Sequence, residues 1–333
     1  MTSLVQLRHP RHGRAAALVI GAELRLLPQF DSIYSLAASA LTRGLPLSHA
    51  VHQAATGEAL SYDAVHSGAS PWRLLPAMDH PTEPARCMVA GTGLTHRQSA
   101  ANRNAMHADP TAKPTDSMVM YQWGVDGGRP PAGRVGTSPE WFYKGTGAIL
   151  RGHLDPLTVP AYACDGGEEA EVAGIYIIDA AGTPRRLGFA QGNEFSDHVF
   201  EKKNYLYLAS SKLRECSIGP ELVLDASFDD LPGNVAIHRG TSVLWRKSLL
   251  TGEAAMCHSL ANMEHHHFKF APHRRPGDVH IHFFGAGAFS FGEGIQLEAD
   301  DVMEVSFDQL GRSLRNPLAV ERGGEQLAVV QPL

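Results

Sequence analysis

Apolar and polar positions along this chain fall mostly into short runs of strand length. Ala15 to Ile20 and Glu23 to Leu27, split by Gly21-Ala22, predict a hairpin of two short strands. A helical run follows through Ser35, Leu36 and Leu41, with Asp31 or Ser32 as its N-cap, and His49 to Leu60 predicts a second helix. Gly68 to Pro84 is rich in Pro and reads as a linker. The expected organisation is therefore a small N-terminal α+β domain over 1–84 and a larger domain over 85–333.

Beyond Arg86 the pattern turns to spaced strands. Cys87 to Ala90 is a short buried run ended by Gly91-Thr92-Gly93. Residues 96–107 are polar and predict a helix, and Gly124 to Gly136 predicts a Gly/Pro-rich loop. Ala170 to Asp179, Leu187 to Ala190, Glu221 to Leu224, Val235 to His238, Val279 to Phe284 and Asp301 to Phe307 predict strands. One late helix is expected from Glu253 to His266. Many short strands with few helices indicate an α+β chain with a β-rich roll or barrel, not a doubly wound sheet.

Composition narrows the function classes. With 333 residues and a formal charge of −6, the chain buries a sizeable core and lacks the basic field of a nucleic-acid binder. Cys87, Cys164, Cys216 and Cys257 are scattered with no C-x-x-C, so no thiolate zinc site or redox dithiol is written here, and a reduced, cytoplasmic setting is expected. No signal peptide is recognised, and no apolar run reaches membrane-spanning length, so no membrane partner is expected. The 18 histidines invite a metal or acid–base reading.

The stretch DGGEEAEVAGIYIID carries the most chemistry. Val172 to Ile178 reads as a buried strand, with Glu169 and Glu171 at its start. Residues two apart share a strand face, so these carboxylates converge while Glu168 points away. Two carboxylates on one face repel unless a cation separates them, and such a pair suits a hard ion such as Mg²⁺. Spacing alone leaves a solvated strand end as the competing reading. Glu194, on a Gly-Asn turn after the next strand, is a third candidate ligand. Lys212 is a candidate base or electrostatic stabiliser, or an ordinary surface lysine.

At these residues the chain resembles the fumarylacetoacetate hydrolase superfamily, over roughly 85–320. The matching pieces are PEWFYK, Glu169-Ala170-Glu171, GNEFS, Lys212 with Ile218-Gly219-Pro220, PGDV, GAG at 285–287, and DDVMEVSFDQLGRSLRNPL. The resemblance implies a β-roll catalytic domain, a homodimer or higher homo-oligomer, and a Mg²⁺ site (Mn²⁺ as substitute) formed by Glu169, Glu171 and Glu194. The third ligand departs from the family's usual Asp. Lys212 matches the family's lysine, and Lys144, Ser196, Gly285 and Ala286 are the expected substrate contacts, with Ala286 replacing a Thr.

Hydrolytic members carry a histidine in a G-L-N-Y-x-x-H segment. Here the stretch is GLTHRQSA, which puts Ser99 at that position and His96 at the tyrosine, and a serine hydroxyl is a poor base toward water. Glu140, in PEWFYK, resembles instead the carboxylate of the family's 2-keto-3-deoxy sugar-acid dehydratases. The resemblance thus implies conversion of a 2-keto-3-deoxypentonate to 2,5-dioxopentanoate. Either Glu140 or Lys212 would remove a C3 proton from a keto acid polarised by Mg²⁺, and the other would protonate the departing C4 hydroxyl.

Three other readings stand beside it. One is a hydrolase of a C–C bond in a 2,4-diketo acid. Another is a cupin-like enzyme using His280 and His282, which share a strand face, with Glu293 as a distant carboxylate. A separate pair, His265 and His267, shares a face only if its segment is extended. The last is a non-catalytic sugar-acid binding protein. Arg129 and Arg134, in the Gly/Pro-rich loop, are candidate carboxylate clamps or solvated charges.

Overall fold

The computed structural model describes residues 1–97, 100–101 and 115–333, and among them it contains a 13-stranded mixed sheet and a five-stranded sheet. The chain is α+β. The centre of the large sheet is the strand Ala170–Ile178, buried at every position. A strand apolar on both faces must be covered on both, and this one is. Ala173, Ile175 and Ile177 pack with Val89, Ile281 and the helical residues Leu36, Ala37, Ala40 and Val51. On the other face, Val172, Phe189 and Phe284 pack against Val235, Ile237, Val305 and Phe307 of the second sheet.

Ala170–Ile178 pairs antiparallel with Pro184–Asn193 on one side and with Val279–Phe283 on the other. Val279–Phe283 runs parallel to Cys87–Gly93, which pairs antiparallel with Glu140–Thr146. The second sheet runs Ser242–Thr251, Leu231–Arg239, Val302–Phe307, Leu314–Val320 and Leu157–Val159.

The predicted hairpin forms as Gly13–Ile20 and Glu23–Leu26. The next helix, Ile33–Thr42, is capped by Ser32, whose side chain accepts from the N–H of Ser35, while Asp31 accepts from the hydroxyls of both serines. A strand at Ser3–His9 was not predicted, and it carries the sheet across the expected boundary at 84. It pairs with Leu222–Val223 of the larger segment and with Arg73–Leu74 of the linker.

Other expectations need correcting. The segment from His49 to Leu60 divides into a helix Leu47–Gln53 and a strand Ala59–Ser61. A helix Asp116–Gly127 runs into the expected loop, because its Gly124 lets it lie against His258 and Cys257. The late helix is Leu260–Phe268, capped by Ser259, with only a 3₁₀ turn at Glu253–Ala255. Most of the predicted helix over 96–107 lies outside the described residues. No described helix is long and apolar enough to cross a membrane.

Candidate metal centre

The hairpin register builds the site. Ala170 pairs with Asn193 and Glu171 with Gly192, so Glu169 and Glu194 meet just beyond the last pair, where the Glu194 N–H donates to the Glu169 carbonyl (3.0 Å). Gly192, opposite Glu171, presents no side chain, and a Cβ there would stand 2.6 Å from the Phe283 ring. The turn after Asn193 is tight. Asn193 Oδ1 accepts the N–H groups of Glu169 and Phe195 (3.2 and 3.1 Å), and Phe195 is held at φ +28°, a strained backbone of the kind that collects at functional sites.

Glu169, Glu171 and Glu194 come together, each offering a carboxylate oxygen within 4.8 Å of the others, and among the described residues no other three potential metal ligands do so. Glu168 points away as expected and is wholly buried, accepting the N–H and hydroxyl of Ser290 (2.6 and 2.8 Å).

Two buried lysines hold Glu169 and Glu194. Lys212, at the C-terminus of the short helix Leu208–Ser211, donates to Glu169 Oε1 (2.5 Å) and Glu194 Oε2 (2.6 Å), and its ammonium lies 5.0 Å from the Phe142 ring centre. Burial alone would lower its pKa, but the two carboxylates outweigh burial and push it up. Lys144 pairs with Glu194 Oε1 (2.6 Å) and donates to the carbonyls of Phe195 and Lys212 (2.8 and 3.0 Å).

Glu171 is held differently. Its Oε2 accepts the Gly285 N–H (2.7 Å), and no Lys, Arg or His among the described residues forms an ion pair with it. Burial, then the charges of Glu194 and Glu169, push its carboxyl well above the usual range. Glu169 goes the other way. Burial raises its pKa, but Lys212 and His198 overcome this and hold it well below. A buried carboxylate with no ion pair of its own beside two others favours a hard divalent cation, and an all-oxygen donor set fits Mg²⁺.

Glu140 is buried on the strand Glu140–Thr146, where it alternates in register with Phe142 and Lys144 and so shares their face. Tyr205 OH donates to its Oε1 (3.2 Å). The neighbouring strand makes room through two glycines. A Cβ on Gly93 would stand 1.8 Å from Glu140 Oε2, and one on Gly91 would stand 2.3 Å from Phe142 Cζ.

Three of the expected substrate contacts bond to the carboxylates. Lys144 has its protons committed as above, Ser196 Oγ donates to Glu194 Oε2 (3.0 Å), and the Gly285 N–H serves Glu171. Ala286 is buried beside them. Arg129 donates through Nε and one Nη to the Met256 carbonyl (3.2 and 2.9 Å), and Arg129 and Arg134 both lie exposed. Ser99 lies outside the described residues. His96 is buried between Thr95 Oγ1 (2.9 Å) and Thr251 Oγ1 (3.0 Å), and burial pushes it down to about 4.

The histidine alternative does not assemble. His280 Nδ1 faces His267 Nε2 (2.9 Å), His282 Nε2 faces Thr92 Oγ1 (2.6 Å), and Trp141 donates to His267 Nδ1 (3.1 Å), so these nitrogens bond within the core. Glu293 instead binds Trp245 and Lys247 (2.9 and 2.7 Å). His265 is exposed while His267 is buried, because their segment is helical. One residue of the site went unforeseen. His198 contacts Glu169 Oε1 through Nε2 (3.0 Å).

No family model and no curated protein sequence matches the chain. Solved structures do. A 2-keto-3-deoxy-D-arabinonate dehydratase complexed with magnesium and 2,5-dioxopentanoate shares 20% identity over 96% of this chain and 100% of its own, with a TM-score of 0.70. The 2-hydroxyhepta-2,4-diene-1,7-dioate isomerase of Mycobacterium marinum shares 16% identity over 96% of this chain and 99% of its own, with a TM-score of 0.57. The 5-carboxymethyl-2-hydroxymuconate delta-isomerase of Mycobacterium smegmatis shares 16% over 96% and 100%, with a TM-score of 0.58. The fold is the one these enzymes share.

Proposed function

We propose that this chain is a divalent-metal-dependent dehydratase that converts a 2-keto-3-deoxypentonate to 2,5-dioxopentanoate and water. The observation that carries the reading is the trio Glu169, Glu171 and Glu194, two of them buried and one half-buried, with Lys212 set between two of its members. The dehydratase with magnesium and 2,5-dioxopentanoate, which has the same fold, supports it. A Mg²⁺ held by the three carboxylates supplies Lewis-acid polarisation of a 2-keto group.

The protein's own groups then divide two proton transfers. Glu140 takes a C3 proton. Lys212, an ammonium paired with two carboxylates, protonates the departing C4 hydroxyl, which leaves as water. The resulting 3-ene loses one proton from C5 and one from the C5 hydroxyl and gains one each at C3 and C4, so the C5 hydroxymethyl ends as the aldehyde. Burial of the centre excludes bulk water from these steps and strengthens each interaction.

Incubating the purified protein with a panel of 2-keto-3-deoxy sugar acids, with Mg²⁺ and with EDTA, tests the reading. Metal-dependent semialdehyde formation is the expected result. Cleavage of a 2,4-diketo acid would replace the dehydratase by a hydrolase, and thermal stabilisation by the sugar acid without turnover would leave only a binding protein.

A further inference from the structure

The three carboxylates are anchored unequally. Glu194 keeps Lys144 and Ser196 whatever Lys212 does, and Glu171 is fixed by the backbone N–H of Gly285. Glu169 shares its Oε1 between Lys212 (2.5 Å) and His198 (3.0 Å). In the reaction proposed above, Lys212 gives its proton to substrate. Each time it turns away, the Glu169 carboxylate is left to His198.

The structure immobilises that histidine. It opens the helix His198–Lys203 directly after the N-cap Asp197. Its ring is stacked between Phe289 (5.0 Å, 16°) and Phe291 (5.1 Å, 25°), and its side chain is 3% exposed. The far edge lies against Gly167, where a Cβ would stand 2.6 Å from Nδ1. The ring therefore cannot turn without displacing two phenylalanines. Its Nε2–H is the donor, because a carboxylate oxygen only accepts.

The clamp is anchored by the acidic stretch itself. Glu168 holds Ser290, between the two phenylalanines, and Glu171 holds Gly285 at the start of the same loop. Two glutamates of the stretch fix the loop that grips the ring that holds the third.

We propose, on the basis of the metal-centre reading, that His198 is the positioning residue for Glu169. It anchors Oε1 so that the carboxylate stays turned toward the cation while Lys212 serves the substrate. Partners of this kind set ligand orientation, and their loss typically weakens metal affinity about 10–100-fold.

Mn²⁺ titration of the purified full chain, read by electron paramagnetic resonance of the free ion, tests this. His198→Phe keeps the stack between Phe289 and Phe291 but removes the donor. His198→Gln keeps an N–H donor and gives up the stack. The expected result is a 10–100-fold weaker Mn²⁺ affinity in His198→Phe with an unfolding midpoint close to wild type, and affinity restored to within about fivefold in His198→Gln. Wild-type affinity in His198→Phe overturns the inference, as does equal weakening in both variants, which would make the residue a packing element only. A wild-type protein that binds no Mn²⁺ overturns the metal centre itself, and the inference with it.

Discussion

Gly93→Ala places a methyl group where Glu140 now sits, and so tests the role of Glu140 without altering its chemistry. The new Cβ would stand 1.8 Å from Glu140 Oε2. Ordinary contact requires about 3.5 Å, so the carboxylate must retreat by about 1.7 Å. Misplacing a reacting group by about 1 Å costs on the order of 100-fold in rate, or about 2.7 kcal/mol of barrier. The obstructing atom is the tip of a side chain, and Ala is favoured over Gly in a strand by about 0.5–1 kcal/mol, so the fold should survive. Gly91→Ala is the contrast. There the Cβ meets the Phe142 ring at 2.3 Å, and overpacking a buried ring costs about 1–3 kcal/mol of stability. Steady-state dehydration kinetics and urea unfolding of both variants are the assay. Gly93→Ala should lose about 100-fold in kcat with an unchanged unfolding midpoint and unchanged Mn²⁺ affinity. An undiminished kcat would refute the placement of Glu140 at the reacting carbon.

Acid should destabilise the protein through its buried histidines. Burial pushes His96 and His280 down to about 4 and His282 to about 3, whereas an unfolded histidine titrates near 6.5. The unfolded chain thus takes up protons that the folded one refuses, so the contribution is complete above about pH 6.5 and lost below it. Each group should cost about 2 kcal/mol between pH 7.5 and pH 5, and the three together on the order of 6 kcal/mol, which urea midpoints at the two pH values check. Glu171, with its raised pKa, works in the opposite sense. Lys144→Met removes the cation from Glu194 Oε1 and the donor from two buried carbonyls, and should destabilise by about 3–5 kcal/mol in the same assay, part of it recovered by adding Glu194→Gln.

The parts of the site that were legible in the sequence are those fixed by local periodicity. Glu169 and Glu171 sit two apart at the head of an unbroken apolar strand, and that alone puts them on one face. Glu194 follows because the hairpin returns to the same end of the strand. His198 was not legible, since its meaning depends on Phe289 and Phe291, about ninety residues away, and on a missing side chain at Gly167. The bonds that Lys144 and Ser196 make to Glu194 were not legible for a related reason. Sequence shows a polar residue near a site, not which way its protons are already committed.

In the fold, Ser3–His9 escaped because its edge partner, Leu222–Val223, is more than two hundred residues distant. Ser242–Thr251 escaped because exposed Val243, Leu244 and Leu250 blur the alternation that marks a half-buried strand. The many histidines proved misleading as a count. Their buried members bond mostly to hydroxyls, amides and backbone carbonyls, and the candidate metal ligands are glutamates.

Proton NMR of a 2-keto-3-deoxypentonate incubated with the protein in D₂O tests the central claim most directly. With Mg²⁺ present, the account predicts 2,5-dioxopentanoate carrying solvent deuterium at C3 and C4, with both product and exchange abolished by EDTA or by Glu169→Ala. Unchanged substrate without C3 exchange, or product formation undiminished in Glu169→Ala, would contradict it.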